Sequence, residues 1–576
     1  MNKNLPHIER PYAKNYRNKP IREFDSNQTI YQIIMNANEN NKDYIAMRYF
    51  GNKFSYEKAM LLVDKAALAY KKNGIGLGDV VLLAMPNVPE TIINFIALNK
   101  IGAVSKWIDM RSSANEMEHY LNQSNCKIMI TFDKLLPTVE SMINNTDVQK
   151  VLYVSPDDSM NIVMKTLFKI KQIKDGNKLY IPESNKIEKF SSFTSNVPFE
   201  KLDFVKFDKD RPSVIVQSSG TTGPVKDIIH SDLSFSSLAI TSAYSFLPFA
   251  PKKKMLTTVP PWVAYSLANS TFLALIHSME LIVDPMYDNE ICHRNLGKYN
   301  MAMATPFQWK YMAEHYEAKF QEAYRMIECA MSGGDKITPN ELKEIMATTG
   351  IEVCNGWGDN EGLGALAFNT PLFNKAGAVG FPKYGDDVMI WDEDNKKMLG
   401  YNETGEVCIK SDTMFIEYAD NAEKTKSVKQ NHEGDYYIHT GDLGRVDHDG
   451  YIFLEGRKER VITRFGYKLS ALKIEESIGK CPVVKECIAV AVPDEEERET
   501  VMLFYTVKNE YLNDLTFAEN EIIEYCKKHV KENMNPKYLQ VVETIPVTKN
   551  NKYDFRTAEK LGREYVAGLG VQRIKK

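Results

Sequence analysis

The chain has 576 residues, more than one hydrophobic core usually serves, so we expect a large domain and a smaller one. Its 43% hydrophobic and 26% charged residues are typical of a globular protein, and a formal net charge of −4 gives no basis for nucleic-acid binding. Eight cysteines without a C-x-x-C pair argue against a disulfide framework or a zinc site. The polar N-terminus lacks the apolar run of an export signal, and prolines and polar residues interrupt the apolar stretch 255–285, so we expect a cytoplasmic protein without a membrane span.

The first predicted elements alternate between helix and strand. From Phe54 apolar residues recur at helical spacing, and a glycine-rich turn over 74–79 precedes the apolar run 80–85. A second helical pattern covers 92–98, and 128–131 is an apolar run typical of a buried strand. This alternation predicts an α/β fold whose sheet is mainly parallel and covered by helices.

The segment 160–174 combines apolar residues at helical spacing with basic ones. Met160, Val163, Met164 and Leu167 follow the helical period, and the residues interspersed among them are Lys165, Lys169, Lys171 and Lys174. Two interpretations stay open: a helix that makes weak contact with a membrane surface, and a basic helix packed on its own domain.

A charged run after Gly456 marks a change along the chain. The residues beyond it suit a small α+β domain by size. We therefore place a large N-terminal domain at 1–456 and a small C-terminal domain at 457–576.

A phosphate-binding loop is predicted directly after a buried strand at 214–216. Glycines let main-chain amides approach phosphate oxygens, hydroxyls donate further hydrogen bonds, and a lysine supplies positive charge. The spacing differs from that of P-loop ATPases, because the lysine lies three residues after the second glycine. The candidate nucleotide-binding residues are Ser218, Ser219, Gly220, Thr221, Thr222, Gly223 and Lys226.

This loop resembles the signature S-G-T-T-G-x-P-K of the adenylate-forming superfamily, which includes acyl-CoA synthetases, nonribosomal peptide adenylation domains and firefly luciferase. Residues 219–226 match it except that Pro224 stands one place early, and Asp227 replaces the usual glycine after it. The resemblance implies a large adenylation domain of parallel and mixed sheets with covering helices, followed by a small mobile α+β domain. It also implies that Thr222 and Lys226 act at the phosphates, with Thr222 beside the metal.

Two later segments resemble the adenine and metal sites of the superfamily. Gly333 and Gly334 stand at its adenine-site glycines, although Asp335 replaces an alanine. The segment N-G-W-G-D-N-E at 355–361 resembles Y-G-x-T-E. It implies adenine and phosphate contacts for Asn355, Gly356, Trp357, Gly358 and Asn360, and it implies that Glu361 holds Mg²⁺, a hard cation that prefers oxygen ligands.

The remaining matches concern the ribose, the hinge and the small domain. Asp442 in T-G-D and Arg457 in G-R-K-E fall on the residues that reach the ribose, and Glu459 takes the hinge position. In the charged run around that hinge, we interpret the neighbouring Lys458 and Arg460 as solvated charges. By the same resemblance Lys552 is the catalytic lysine and Gly466 lies near the thiol of coenzyme A.

The acyl pocket is expected in the segment after the phosphate loop. Its predicted residues are Trp262, Val263, Tyr265, Ser266 and Gly362. The segment offers no aspartate for an α-amino group, and its small residues suggest an apolar tunnel. We therefore expect a medium- or long-chain fatty acid, with an aryl acid as the alternative.

Together these motifs predict an AMP-forming acid–thiol ligase that uses ATP, Mg²⁺ and coenzyme A as co-substrate. An acyl carrier protein is the alternative acceptor, since both acceptors use the same phosphopantetheine thiol. A binding module that has lost turnover, or oxidative chemistry as in luciferase, is the alternative of another class.

Overall fold

The computed structural model describes residues 5–176, 179–195, 197, 200–218, 225–464, 467–494, 496–548 and 553–568. All eight cysteines lie in these ranges and have free thiols. Within the same ranges, every helix is too short or too polar to cross a bilayer.

The first sheet carries the strand that leads into the phosphate loop. Pro212–Gln217 runs parallel to Val104–Trp107, and Asp227–Ser231 returns antiparallel on its other side. The spatial order is Glu417–Tyr418, Asp227–Ser231, Pro212–Gln217, Val104–Trp107, Val80–Ala84, Ile128–Phe132, Lys150–Val154 and Ile187–Lys189. The strands from Pro212–Gln217 onward are parallel, so the predicted mainly parallel sheet is confirmed.

The second sheet carries the segments predicted to contact adenine. Its central strands are parallel, with two antiparallel pairings at one end and one at the other. The spatial order is Phe381–Pro382, Gly364–Phe368, Val353–Asp359, Cys329–Ser332, Met301–Ala304, Lys254–Leu256, Glu280–Ile282, Ile45–Tyr49 and Asn52–Ser55.

Most helices of the large domain are grouped around these two sheets, while Pro6–Glu9 and Ala422–Val428 contact strands of the third sheet described below. The helix predicted from Phe54 begins at Tyr56, where the hydroxyl of Ser55 caps it by accepting from Lys58 N. The α-helices are Pro6–Glu9, Ile30–Ala37, Tyr56–Lys72, Pro89–Lys100, Ala114–Gln123, Leu136–Met142, Ile162–Lys174, Phe190–Ser195, Asp232–Tyr244, Leu273–Ile276, Ile291–Arg294, Pro306–Glu314, Gln321–Arg325, Pro339–Thr349 and Ala422–Val428. The apolar stretch 255–285 forms core elements that include the π-helix Tyr265–Phe272.

A third, antiparallel sheet completes the large domain. Its spatial order is Lys397–Met398, Asp387–Asp392, Gly405–Lys410, Asp435–Val446 and Lys429–His432, with Ile452–Arg457 also paired to Asp435–Val446. The chain leaves this sheet at Arg457 through the short 3-10 helix Lys458–Arg460.

The fourth sheet belongs to the small C-terminal domain. Its order is Tyr467–Ser470, Val461–Arg464, Arg498–Val507 and Val484–Asp494, with Tyr538–Val541 parallel to Arg498–Val507. The helices Ala471–Ile478 and Leu515–His529 contribute to one hydrophobic cluster on this sheet, and Phe555–Gly568 contributes to another. The small domain therefore has cores of its own.

Candidate active site

One cavity of about 1240 Å³ connects most of the predicted functional segments. Its wall includes Ser218 and Lys226 at the phosphate loop, the strand around Trp357, and Arg457 beside the hinge. The small domain contributes Thr548 and Asp554, which flank the segment containing Lys552. Three sets of predicted residues lie outside the described ranges: the loop Ser219, Gly220, Thr221, Thr222 and Gly223, the catalytic candidate Lys552, and Gly466.

The two ends of the phosphate loop are bonded to each other. The amide of Ser218 donates to the oxygen of Lys226 at 2.9 Å, and the hydroxyl of Ser218 accepts from the amide of Lys226 at 2.9 Å. These bonds continue the antiparallel pairing of Gln217 with Asp227. Both ends of the loop are therefore anchored to neighbouring strands of the first sheet.

Asp227, which replaces the superfamily glycine after the loop, forms a buried ion pair. Lys106 Nζ lies 2.5 Å from Asp227 Oδ2, and the two side chains are 0% and 4% exposed. Lys106 also donates to Ser124 Oγ, and Asp227 Oδ1 accepts from Gln217 Nε2. Asp227 is thus a positioning residue that fixes the start of the strand Asp227–Ser231, directly after Lys226.

Lys226, Tyr418 and Glu361 come together beside the loop. Lys226 Nζ lies 5.3 Å from the centre of the Tyr418 ring, and the Tyr418 hydroxyl donates to Glu361 Oε1 at 2.6 Å. Burial and the Glu361 carboxylate raise the pKa of Tyr418, so the phenol stays protonated. Glu361 and Asp359 offer carboxylate oxygens close to the loop, a donor set that fits Mg²⁺.

Asp359 lies half-buried in the same wall. Burial and the neighbouring carboxylate of Glu361 raise the pKa of Asp359 to about 8. Its Oδ1 accepts from the amide of Gly362 at 2.7 Å, which fixes the turn after the strand. The site therefore concentrates acidic groups where a cation would offset their repulsion.

Asn360, which replaces the superfamily threonine, joins three segments. Its Nδ2 donates to Gln217 O at 2.8 Å, and its Oδ1 accepts from Ala264 N at 3.2 Å. Its main-chain oxygen accepts from His230 Nε2 at 2.8 Å. Burial lowers the pKa of His230 to about 4, so the imidazole is neutral at pH 7. The amide of Asn360 thus bonds the phosphate-loop strand to the acyl segment.

The glycines predicted to lie at the adenine site make room for close neighbours. A Cβ on Gly333 would lie 3.2 Å from the ring of Tyr265, and a Cβ on Gly358 would lie 1.7 Å from the oxygen of Gly364. Gly333, Gly334, Gly356 and Gly358 all line the cavity. Asn355 is placed one step earlier on the strand, where its oxygen accepts from Asn369.

The predicted ribose residues hold one another in place. Asp442 Oδ2 accepts from Trp357 Nε1 at 2.8 Å, and Asp442 Oδ1 pairs with Arg457 Nε at 2.7 Å. The aspartate is buried, while Arg457 is half-exposed at the cavity. The carboxylate is therefore oriented by both predicted partners.

The hinge residues differ from the prediction of solvated charges. Lys458 Nζ donates to the buried Glu406 at 2.9 Å, and Arg460 pairs with Glu475 and lies over the ring of Phe555. Burial alone would raise the pKa of Glu406, but bonds from His439 and Lys458 outweigh it and hold that pKa at about 2. Glu459, between these two anchored cations, lines the cavity. The solvated interpretation was therefore wrong for Arg460, whose side chain is 14% exposed, whereas Lys458 is exposed as expected but is paired with Glu406.

Further contacts join the small domain to the large one. Lys336 pairs with Glu476 at 2.5 Å, and Lys468 pairs with Asp394 at 2.6 Å. All four side chains are more than one third exposed.

The acyl segment lines the cavity only in part. Trp262, Val263 and Tyr265 are on its wall, whereas the described Ser266 and Gly362 are not. Ser266 is 1% exposed, and its hydroxyl donates to Val259 O at 2.6 Å within the core. The prediction that Ser266 and Gly362 line the pocket is therefore corrected.

Another part of the cavity, which we call the inner limb, is lined by segments of the large domain outside the acyl segment. Its inner wall is formed by Leu238, Thr241, Ser242, Ser245, Leu247, Phe249 and Leu273. The hydroxyls in this set donate to main-chain oxygens of their own helix: Thr241 to Leu238, Ser242 to Ala239 and Ser245 to Ser242. With those donors satisfied, the inner wall is suited to an apolar group.

The fold and this nucleotide cleft define the class of adenylate-forming enzymes, and comparison with known proteins agrees. Residues 35–419 match the AMP-binding enzyme family, and residues 473–552 match the AMP-binding enzyme C-terminal domain. The chain belongs to the AMP-binding enzyme family, so its predicted superfamily and α/β fold are confirmed.

Individual relatives span almost the whole chain. A long-chain-fatty-acid–CoA ligase of Bacillus subtilis (strain 168) is 23% identical over 94% of this chain and 96% of its own length. The ATP-bound MatB structure from Rhodopseudomonas palustris has a TM-score of 0.81 at 18% identity, covering 93% of this chain and 100% of that one. A structure of an anthranilate CoA ligase with anthranoyl-AMP has a TM-score of 0.80 at 18% identity, covering 94% and 99%.

Proposed function

We propose that this enzyme activates a fatty acid with MgATP and transfers the acyl group to coenzyme A in the cytoplasm. The observation that carries the proposal is one cavity whose wall includes Ser218 and Lys226 at the phosphate loop, Arg457 and the apolar inner limb. Long-chain-fatty-acid–CoA ligases among the relatives support both the ligase chemistry and the substrate class.

In the first step, a carboxylate oxygen of the acid attacks the α-phosphorus of ATP. The bond to pyrophosphate breaks, and acyl-AMP forms. Lys226 and Lys552 offset the negative charge that accumulates on the oxygens, because a lysine in a closed site is poorly screened by water. Glu361 would hold Mg²⁺, which would offset negative charge on the phosphate oxygens, and Asp442 accepts from the ribose hydroxyls, which fixes the nucleotide for in-line attack.

In the second step, the thiol of coenzyme A attacks the acyl carbonyl and AMP leaves. We propose that residues 457–576 turn about Glu459 between the steps, so that Lys552 withdraws and the segment around Gly466 approaches the thiol. Lys552→Ala should abolish adenylation but spare thiolation of supplied acyl-AMP, whereas the exposed Lys560→Ala should leave both unchanged. Normal adenylation by Lys552→Ala would refute the assignment.

The apolar lining of the inner limb favours a chain over a ring. An aryl acid would occupy the region of Trp262 and Tyr287, whose rings meet edge-to-face at 5.3 Å, and would leave the inner wall without contacts. A flexible alkyl chain can fill both regions and bury more apolar surface.

Pyrophosphate release from MgATP tests this proposal across acetate, hexanoate, palmitate, benzoate and phenylacetate, each with and without coenzyme A. We expect release with palmitate that coenzyme A accelerates. Thr241→Phe should block the inner limb and lower kcat/KM for palmitate about tenfold or more while sparing hexanoate. Ile240→Phe, a neighbour on the same helix away from the cavity wall, is the matched control.

Other results would redirect the proposal. Reaction with benzoate alone would replace the fatty acid by an aryl acid. Release that coenzyme A does not accelerate would favour a carrier-protein thiol, and absence of release with every acid would favour the binding-module alternative.

A further inference from the structure

The helix Ile162–Lys174 carries five exposed large apolar side chains. Asn161 caps its start by accepting from Met164 N at 2.8 Å. Every residue of the helix is described, and none is buried. A soluble domain rarely leaves a whole helix in this state.

The helix contacts its own domain through one narrow face. Met164 and Phe168, one turn apart, are half-buried against the main hydrophobic core. Lys165 pairs with Asp157 at 3.4 Å on the same side. The interpretation of a helix packed on its own domain is therefore correct for this face.

The opposite face is apolar and exposed. Its side chains, with their exposed fractions, are Ile162 77%, Val163 62%, Leu167 55%, Ile170 58% and Ile173 80%. At about 100° per residue they fall within an arc of roughly 140°, centred opposite Met164 and Phe168. Leu179, Tyr180 and Ile181, shortly after the helix, are also about half exposed.

Lysines border this apolar face on both sides. On the same helical projection, Lys169 lies along one edge of this face and Lys171 along the other, while Lys174 lies within the arc near Leu167. The helix contains no acidic residue. Long lysine side chains can extend sideways from such a position and keep their ammonium groups in a polar layer.

We propose that this face binds the surface of an anionic lipid bilayer, with the helix lying in the plane of the interface. The isoleucines and Leu167 enter the boundary between headgroups and acyl chains, and the flanking lysines meet the negative headgroups. A second copy of the chain is a poorer occupant, because pairing two such faces would bring two sets of lysines together. The proposal is independent of which acid the enzyme uses.

The test is co-sedimentation of the full chain with vesicles. One set contains phosphatidylcholine alone, and the other contains equal parts of phosphatidylcholine and phosphatidylglycerol. We expect binding to the anionic vesicles that high salt weakens, with at least about tenfold lower affinity for the neutral ones.

Two variants separate the roles of charge and apolar contact. Lys169→Glu/Lys171→Glu/Lys174→Glu and Ile170→Ser/Ile173→Ser should each lower binding to anionic vesicles about tenfold or more. The matched controls change exposed residues elsewhere and should bind as the unchanged chain does: Lys527→Glu/Lys528→Glu/Lys560→Glu and Leu372→Ser/Leu512→Ser.

Three results would overturn the proposal. The first is no binding to anionic vesicles, and the second is binding that both helix variants retain. The third is a dimer in sedimentation velocity that Ile170→Ser/Ile173→Ser dissociates, since a second copy would then cover the face.

Discussion

The buried pair of Lys106 and Asp227 allows a quantitative prediction. Asp227→Asn keeps the shape of the side chain and removes its charge, which leaves the fully buried ammonium of Lys106 without its counter-ion. Breaking a buried pair in this way costs about 3–5 kcal/mol. Spread over the unfolding entropy of a domain of roughly 450 residues, that cost lowers the melting temperature by about 3–5 °C.

Thermal unfolding followed by near-UV circular dichroism measures this loss. The double variant Lys106→Met/Asp227→Asn removes both charges and should recover most of it, so the cycle should show a coupling of about 2 kcal/mol or more. Asp210→Asn removes an exposed partner of Lys209 and should leave the melting temperature unchanged.

The same variant should also impair the first chemical step, because Asp227 directly follows Lys226. Asp227→Asn should raise the KM for ATP even at temperatures where the protein is folded. A melting temperature within about 1 °C of the unchanged protein, or a double variant whose loss equals the sum of the single losses, would refute the argument.

Two further predictions concern the nucleotide cleft. Trp357→Phe keeps an aromatic ring but loses the hydrogen bond to Asp442, so the KM for ATP should rise about tenfold. Trp357→Leu should raise that KM further. An unchanged KM for the phenylalanine variant would contradict a role for the hydrogen bond in ATP binding. Burial and Glu361 raise the pKa of Asp359 to about 8, so Asp359 keeps a proton in the folded protein that the unfolded chain releases at about pH 4. The stability of the protein should therefore fall as the pH rises from about 4 to about 8. Asp359→Asn should make the melting temperature fall less over this pH range. Parallel curves of melting temperature against pH for the two proteins would contradict the assigned pKa shift of Asp359.

Local patterns predicted much of the fold. The helices Tyr56–Lys72 and Pro89–Lys100 and the strands Val80–Ala84 and Ile128–Phe132 follow the predicted order, with ends within a few residues. Helical period, capping and glycine turns act over one or two turns of chain, so the sequence carries them directly. The bonds between Ser218 and Lys226 at the two ends of the phosphate loop are also local, because they join residues close together in the sequence.

The partners of the site residues could not be predicted in this way. Tyr418 reaches Glu361, and Lys106 reaches Asp227, only because sheet topology brings distant segments together. Neither partner belongs to a motif, and each would count as an ordinary tyrosine or lysine in its own segment. The sequence shows that Asp227 departs from the superfamily glycine, but a single sequence could not reveal its buried counter-ion.

The pocket prediction failed where spacing was used without side-chain direction. Ser266 lies within the expected segment, but on the π-helix its hydroxyl turns to Val259 in the core. Conversely, Leu247, Phe249 and Leu273 line the cavity and come from segments without any signature. Depth of a cavity depends on tertiary packing, which periodicity does not encode.

The exposed ion pairs between the domains have a consequence for their equilibrium. Pairs such as Lys336–Glu476 and Lys468–Asp394 each contribute little stability and are weakened as dissolved ions screen them. Because the small domain has its own hydrophobic clusters, separating it from these partners leaves its core intact. We therefore expect ionic strength to act on the proposed turn of the small domain, with little effect on the folding of either domain.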